Sequence, residues 1–411
     1  MSVLTQETRG RTEGTTGTRS LAWLLVLGIV LAALNLRTAV ASVGPVLDHI
    51  SAGLGMSGAG VGLLTALPVL IFATVGAVTP ALARKAGEHR LLLLALVALG
   101  AGLLIRAMVD SAEVFLFSSA LALSGGAVGN VLIPTLIKRH FPRRAGTMTT
   151  VYTTALAVGT MLAAAATVPI ERAADGNWHV ALGVWAALAA VAAIPWIALL
   201  RSEPAPGADA GGFGLRTLLR SRLAWAVALY FGAQSMVAYI MFGFLSTILT
   251  DGGLSTGQAG LLLGAFTAIG IPVAMAAPSV ATRFADQRPA VAVFVAFYVA
   301  GFLGLWLAPA SWALLFVLLV GIGMGSFPLA LTMLALRTRT PEATAALSAF
   351  GQSIGYLIAG AGPLVVGVMH EATGGWTAPF LLLFAVVAVQ LAVGLYAGRS
   401  RYLEDERAPA R

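Results

Sequence analysis

Twelve long apolar runs follow one another along the chain, separated by short polar gaps. They lie near residues 21–47, 58–82, 91–109, 113–136, 145–169, 179–200, 223–249, 255–280, 290–308, 312–335, 343–368 and 378–397. A helix crosses the hydrocarbon core in about 20 residues, and each run can supply one. The pattern predicts an all-α polytopic membrane protein with twelve spans. Composition agrees: 58% hydrophobic residues, 10% charged residues and a mean hydropathy of +0.90 leave a soluble domain unable to hide its apolar surface.

Charge gives the runs a direction. All but three of the 25 Lys and Arg residues fall in the two tails or in the gaps after the second, fourth, sixth, eighth and tenth runs. The exceptions are Arg37, Arg106 and Arg172. The odd-numbered gaps instead hold acidic residues such as Asp48, Asp110, Glu171, Asp251 and Glu371. This asymmetry predicts that both termini and the even-numbered gaps face the cytoplasm of a bacterial-type inner membrane. The formal charge of +8 is thereby explained by topology, and no nucleic-acid partner is expected. Residues 1–20 read as a polar cytoplasmic tail without a signal-peptide core, and 399–411 as a second tail. Zero cysteines exclude disulfides, thiol catalysis and thiolate metal sites.

The chain also repeats itself. A linker at 201–222, with Pro204, Pro206 and a basic Leu215–Arg220 stretch, separates six spans (21–200) from six more (223–398). A shift of 196 positions pairs Gly125 with Gly321, Gly129 with Gly325, Arg143 with Arg339 and Gly159 with Gly355; a shift of 198 pairs Pro80 with Pro278 and Arg90 with Arg288. The sequence therefore predicts two pseudo-symmetric six-helix bundles. An even number of spans in each puts their symmetry axis along the membrane normal, with a substrate site between them near the midplane and rocking motions for alternating access.

With these features the chain resembles the major facilitator superfamily. The superfamily motif after the second helix, Gly-x-x-x-Asp-Arg/Lys-x-Gly-Arg/Lys-Arg/Lys, aligns with Pro80 to Arg90; Lys85, Gly87 and Arg90 fit it, whereas Arg84 stands at the Asp position. The usual gating ion pair through that Asp is not expected. The stretches Asn35–Leu47, Gly129–Pro134, and Gln234-Ser235 with Tyr239 are similar to the cyanate and nitroimidazole transporter branch. That resemblance implies transport of small anions or small heteroaromatic compounds, with alternating access, no enzymatic activity and no cofactor.

Candidate residues are those polar within apolar runs. Arg37 lies sixteen residues into the first run, roughly 24 Å along a helix at ~1.5 Å per residue, past the midplane. A guanidinium at that depth faces water, an anion or hydrogen-bond acceptors. Two readings follow: a contact to a negatively polarised substrate or gate, or outward snorkelling toward Asp48 or a structural bond. Asn35, Thr38 and Ser42 make a polar stripe on the same helix on which Arg37 is not centred, so one of the two faces must pack against protein. Gln234, Ser235 and Tyr239 on the seventh run, and Ser348, Gln352 and Tyr356 at four-residue spacing on the eleventh, are candidate pathway residues or interhelical bonds. Asn130 and Tyr152 complete the substrate-binding or gating set. Arg106, four residues before Asp110, is expected to snorkel, and His49, His179 and His370 to be solvated at outer helix ends.

Absences narrow the function. No Asp or Glu lies deep in a predicted span, so a coupled proton lacks its usual membrane carboxylate. No phosphate-binding loop or metal-ligand spacing is present, which argues against ATP hydrolysis and metal chemistry. A secondary or facilitative transporter of a small anion, weak acid or heteroaromatic solute follows, acting as a monomer with the bilayer, the solute and optionally protons as partners. A drug/proton antiporter is the runner-up, and a transporter-fold sensor without flux the third reading.

Overall fold

The computed structural model describes residues 22–202 and 214–407. The expectations for the tail at 1–20, for Pro204 and Pro206, and for the last four residues fall outside the described residues. Twelve spans succeed one another: α1 Ala22–Val46, α2 Gly60–Ala86, α3 Glu88–Arg106, α4 Ala112–His140, α5 Pro142–Ala173, α6 Trp178–Leu199, α7 Arg222–Asp251, α8 Thr256–Ala281, α9 Arg288–Leu307, α10 Ala313–Leu336, α11 Pro341–Thr373 and α12 Thr377–Ala397. No strand is present among the described residues.

Single polar residues cut the apolar chain into these helices. Ser57, Ser111, Asn177, Ser221, Ser255 and Thr340 each accept a hydrogen bond from a first-turn backbone N–H that the helix itself leaves unpaired. Gly87 alone joins α2 to α3, with φ at +87°, where a side chain would be strained. That turn accounts for Gly87; Arg84, Lys85 and Arg90 are exposed around it. Several spans outrun the apolar pattern, α11 reaching 33 residues, because their polar ends continue the helix beyond the hydrocarbon. Part of the predicted linker is also helical, over Leu215–Arg220, with Leu218 buried.

Two spans are broken. α1 loses its helix at Leu36–Arg37 and resumes for one turn at Thr38–Ala41, and α10 is interrupted at Met324–Gly325 between Ala313–Gly323 and Ser326–Leu336. Large apolar side chains such as Phe117, Leu261 and Leu364 are exposed on the outside, as a lipid-covered surface requires.

The interior differs at the two ends. At the end carrying the even-numbered gaps, the basic end, one apolar core joins both halves of the chain, including Leu136 and Ile137 of α4, Leu334 of α10 and Leu347 of α11. Toward the opposite end two separate clusters form. One gathers Val46, Ile50, Phe115 and Trp178 from the first half; the other gathers Leu245, Phe266, Phe302 and Phe380 from the second.

Candidate functional site

Where the breaks in α1 and α10 face each other, a cavity of about 170 Å³ opens between the halves. Its walls come from α1, α5, α7, α8, α10 and α11. α1 contributes Arg37, whose guanidinium crosses the gap to the second half: Nη2 donates to the Tyr356 hydroxyl at 3.1 Å, and Cζ sits 5.2 Å from the centroid of the Phe327 ring. It also faces the Tyr239 hydroxyl. Phe72 and Phe231 meet the Tyr356 ring edge to face at 5.2 and 5.3 Å, which fixes the hydroxyl that Arg37 uses. Among the described residues no carboxylate lies within 4 Å of Arg37. The charge is thus met by hydroxyls and a ring face, contacts that an anionic group can join or displace.

On the facing wall, Gln234 and Ser235 line the cavity, with Gln234 Nε2 donating to Ser235 Oγ at 2.6 Å and Gln234 Oε1 buried without a partner. Thr153, Thr160 and Thr267 add hydroxyls, and Met161, Phe242 and Met324 apolar surface.

The candidate residues separate into three groups. Arg37, Gln234, Ser235, Tyr239 and Tyr356 come together on the cavity. Asn130, Tyr152 and Gln352 stand behind it, buried: the Tyr152 hydroxyl donates to Asn130 Oδ1 at 3.2 Å, and Gln352 Nε2 crosses between halves to the Asn130 carbonyl at 3.2 Å. Asn35 and Thr38 point away from it. Asn35 Nδ2 bonds to the carbonyls of Leu31 and Leu188, and Thr38 Oγ1 to the Asn35 carbonyl. Of the two faces of α1, the Asn35–Thr38–Ser42 stripe is the one packed on protein, because the carbonyls freed by the break need donors there.

Residues 25–363 match the sequence profile described as Major Facilitator Superfamily. The chain belongs to this superfamily. It is 38% identical over 382 residues to an uncharacterized transporter, YycB, of Bacillus subtilis (strain 168), covering 92% of this chain and 94% of that one. It is 36% identical over 383 residues to a 2-nitroimidazole transporter of Escherichia coli (strain K12), covering 92% and 96%. To the cyanate transport protein CynX of the same organism it is 29% identical over 353 residues, covering 86% and 91%. The fold is similar to that of the proton:xylose symporter XylE, with a TM-score of 0.72 at 14% identity over 94% of this chain and 98% of that one. The protein is therefore a multi-pass membrane transporter of this superfamily, not an enzyme.

Arg84 stands where the motif resemblance expects an aspartate, and the basic end is bridged by other groups. Arg139 at the end of α4 holds Glu88 through Nε and Nη2, both at 3.0 Å, and reaches Glu342 in the first turn of α11 at 2.9 Å. Lys138 Nζ donates to the Ala335 carbonyl of α10 at 3.2 Å. Four features escaped the sequence reading: this bridge, Phe327, the breaks, and the burial of Arg106. Phe327 sits in an apolar run with no signal to single it out. Arg106 does not snorkel; it is fully buried, since acceptors on α1 lie nearer than water. The three outer histidines are not merely solvated either: His49 Nδ1 lies 2.6 Å from the buried Glu171, while His179 and His370 lie 3.6 and 3.8 Å from Asp110 and Asp251.

Proposed function

We propose that this chain is a secondary transporter of a bacterial-type cytoplasmic membrane, with the basic end and both termini on the cytoplasmic side. It carries a small anion, weak acid or small heteroaromatic solute through the cavity at Arg37. One observation carries the reading: a guanidinium between the halves that has ring and hydroxyl partners and, among the described residues, no carboxylate. A solute with negative charge completes it, and a planar ring suits Phe327, Tyr239 and Tyr356. The size of the cavity supports a small cargo, at ~10–15 Å³ for each water-sized group. The relatives named for 2-nitroimidazole and cyanate support the same class, one a heteroaromatic ring and the other a small anion.

Two six-helix units, 21–200 and 223–398, rock about this site, and the sealed basic end supports an outward-facing state. A single copy of the chain encloses the cavity, which supports a working monomer. Among the described residues no Asp or Glu lines it; a proton is carried most simply by the solute, entering as its neutral acid.

Counterflow in proteoliposomes tests the proposal with labelled cyanate, benzoate and 2-nitroimidazole. Saturable exchange of at least one supports it. Binding without exchange turns the reading to a sensor, and neither binding nor exchange of any of the three overturns the solute class.

A further inference from the structure

Arg106 is a fully buried guanidinium, and among the described residues it makes no ion pair. From α3 it reaches the back of α1: Nη1 donates to the Ala39 carbonyl at 2.9 Å and Nη2 to Ser42 Oγ at 2.7 Å, while Nε is buried with no partner. Among the described residues no carboxylate lies within 4 Å of it. Burying an uncompensated charge in a membrane bundle is costly, and an apolar side chain would fill the same space without that cost. Packing alone therefore does not account for an arginine at this position.

Its contacts lie immediately after the break that presents Arg37. There Leu36 and Arg37 leave the helix, Arg37 taking φ −114° and ψ 0°. A continuous chain of polar contacts runs along the hidden face of α1. Arg106 holds Ser42, Ser42 Oγ donates to the Thr38 carbonyl at 2.6 Å, Thr38 Oγ1 to the Asn35 carbonyl at 2.8 Å, and Asn35 Nδ2 to the Leu188 carbonyl of α6 at 3.2 Å. Small residues on the neighbouring helices admit the broken backbone. A Cβ at Gly126 of α4 would lie 2.7 Å from the Leu36 carbonyl oxygen, and one at Gly159 of α5 would collide with that of Leu34. Of the links in this chain, only Arg106 bonds two acceptors beyond the break, the Ala39 carbonyl and Ser42 Oγ, through separate nitrogens held in one planar fork.

We infer that Arg106 is a positioning residue of the transport site: it holds the unwound stretch of α1 from behind, so that Arg37 stays turned into the cavity. The inference rests on Arg37 being the cavity's charge contact, but its test needs no substrate. The chain has no cysteine of its own, so single cysteines report exposure directly. Introduced at the cavity, Arg37→Cys and, on the α5 wall, Thr160→Cys are both expected to react with a small, charged, membrane-impermeant thiol reagent. Adding Arg106→Gln is expected to slow the reaction of Arg37→Cys about tenfold, the scale of losing a hydrogen bond from a charged donor, and to leave Thr160→Cys unchanged. Arg106→Lys, keeping the charge and one contact, recovers part of the rate. Should Arg106→Gln not yield folded protein, Ser42→Ala removes the Nη2 acceptor alone and carries the same test with a smaller slowing. Equal rates at Arg37→Cys with and without the second change overturn the inference, as does a parallel fall at both cysteines. Failed solute exchange with a selective slowing sinks the proposed cargo and leaves the role of Arg106 standing.

Discussion

The two ends of the molecule hold their halves in opposite ways. From the basic end inward, contacts cross between halves in sequence: Arg139 to Glu342, Lys138 to the Ala335 carbonyl, Thr150 to Ser279, Thr153 to the Ala274 carbonyl, Gln352 to the Asn130 carbonyl, and Arg37 to Tyr356. Beyond Arg37 the polar pairs stay inside one half, as in His49–Glu171, His179–Asp110 and His370–Asp251. The approach of Val69 to Gly360, one turn past Tyr356, continues the α2–α11 seam a little farther. The apolar interior follows the same rule, shared at one end and divided at the other. Pairs of similar chemistry are therefore placed differently: at the basic end they tie one half to the other, and at the opposite end they brace each half for itself.

The largest effect is expected where the two regimes meet. Arg37→Ala removes both the solute contact and the innermost crossing bond, and saturable flux should fall by ~100-fold or more, with Arg37→Lys recovering a fraction, since a buried charge-assisted contact is worth ~2–5 kcal/mol. Wild-type flux in a normally inserted Arg37→Ala protein would remove it from the mechanism. Next comes the latch. Arg139→Glu sets three carboxylates together and should shift the population toward a cavity open at the basic end, read as an approximately tenfold loss of labelling of Thr160→Cys from the opposite side. Reversing Glu342 to Arg as well should restore part of it; no change in the single variant would show that the ion pair latches nothing. A smaller shift in the same direction follows from Gly146→Val, because a Cβ there meets Thr282, just past α8, at 2.6–2.7 Å. Labelling should fall a fewfold, and an increase would contradict the assigned geometry. The smallest effect is expected at the opposite end. Asp251→Asn loosens the exposed pair with His370 and weakens the acceptor of Trp376 Nε1, costing no more than ~1 kcal/mol of stability. The labelling pattern should not move, and a large shift there would break the contrast between the ends.

The spans, their order and the basic face were legible because hydrocarbon imposes a length and translocation imposes a charge rule, and both act residue by residue. Gln234, Ser235, Tyr239 and Tyr356 stood out as polar groups in apolar runs, and they meet Arg37 on the cavity. The α1 break was not legible: Leu36-Arg37-Thr38 contains neither Gly nor Pro, and the interruption is held by partners on α3 and α6 distant in sequence. Asn35 and Thr38 carry the same polar signal as the lining residues, and only the rotation of the helix tells the two faces apart. Arg106 misled for a related reason. Its distance along α3 suits the water boundary, but position along a helix says nothing about whether a neighbour stands between the side chain and solvent. The Glu88–Arg139–Glu342 bridge draws on three sequence regions, and a motif reading centred on Arg84 could show only what was missing.

Gly87 has a mechanical consequence. With one residue between them, α2 and α3 form a tight elbow with no loop to spare. α2 lies along the α11 seam, and α3 begins at Glu88 in the latch and ends at Arg106 behind the α1 break. One helix, α3, thereby joins the Glu88–Arg139–Glu342 cluster at the basic end to the buried Arg106 that bonds the backbone of α1 near Arg37. A glycine that permits one backbone angle thus fixes where a single helix starts at one face of the membrane and which neighbour its other end meets in the bundle.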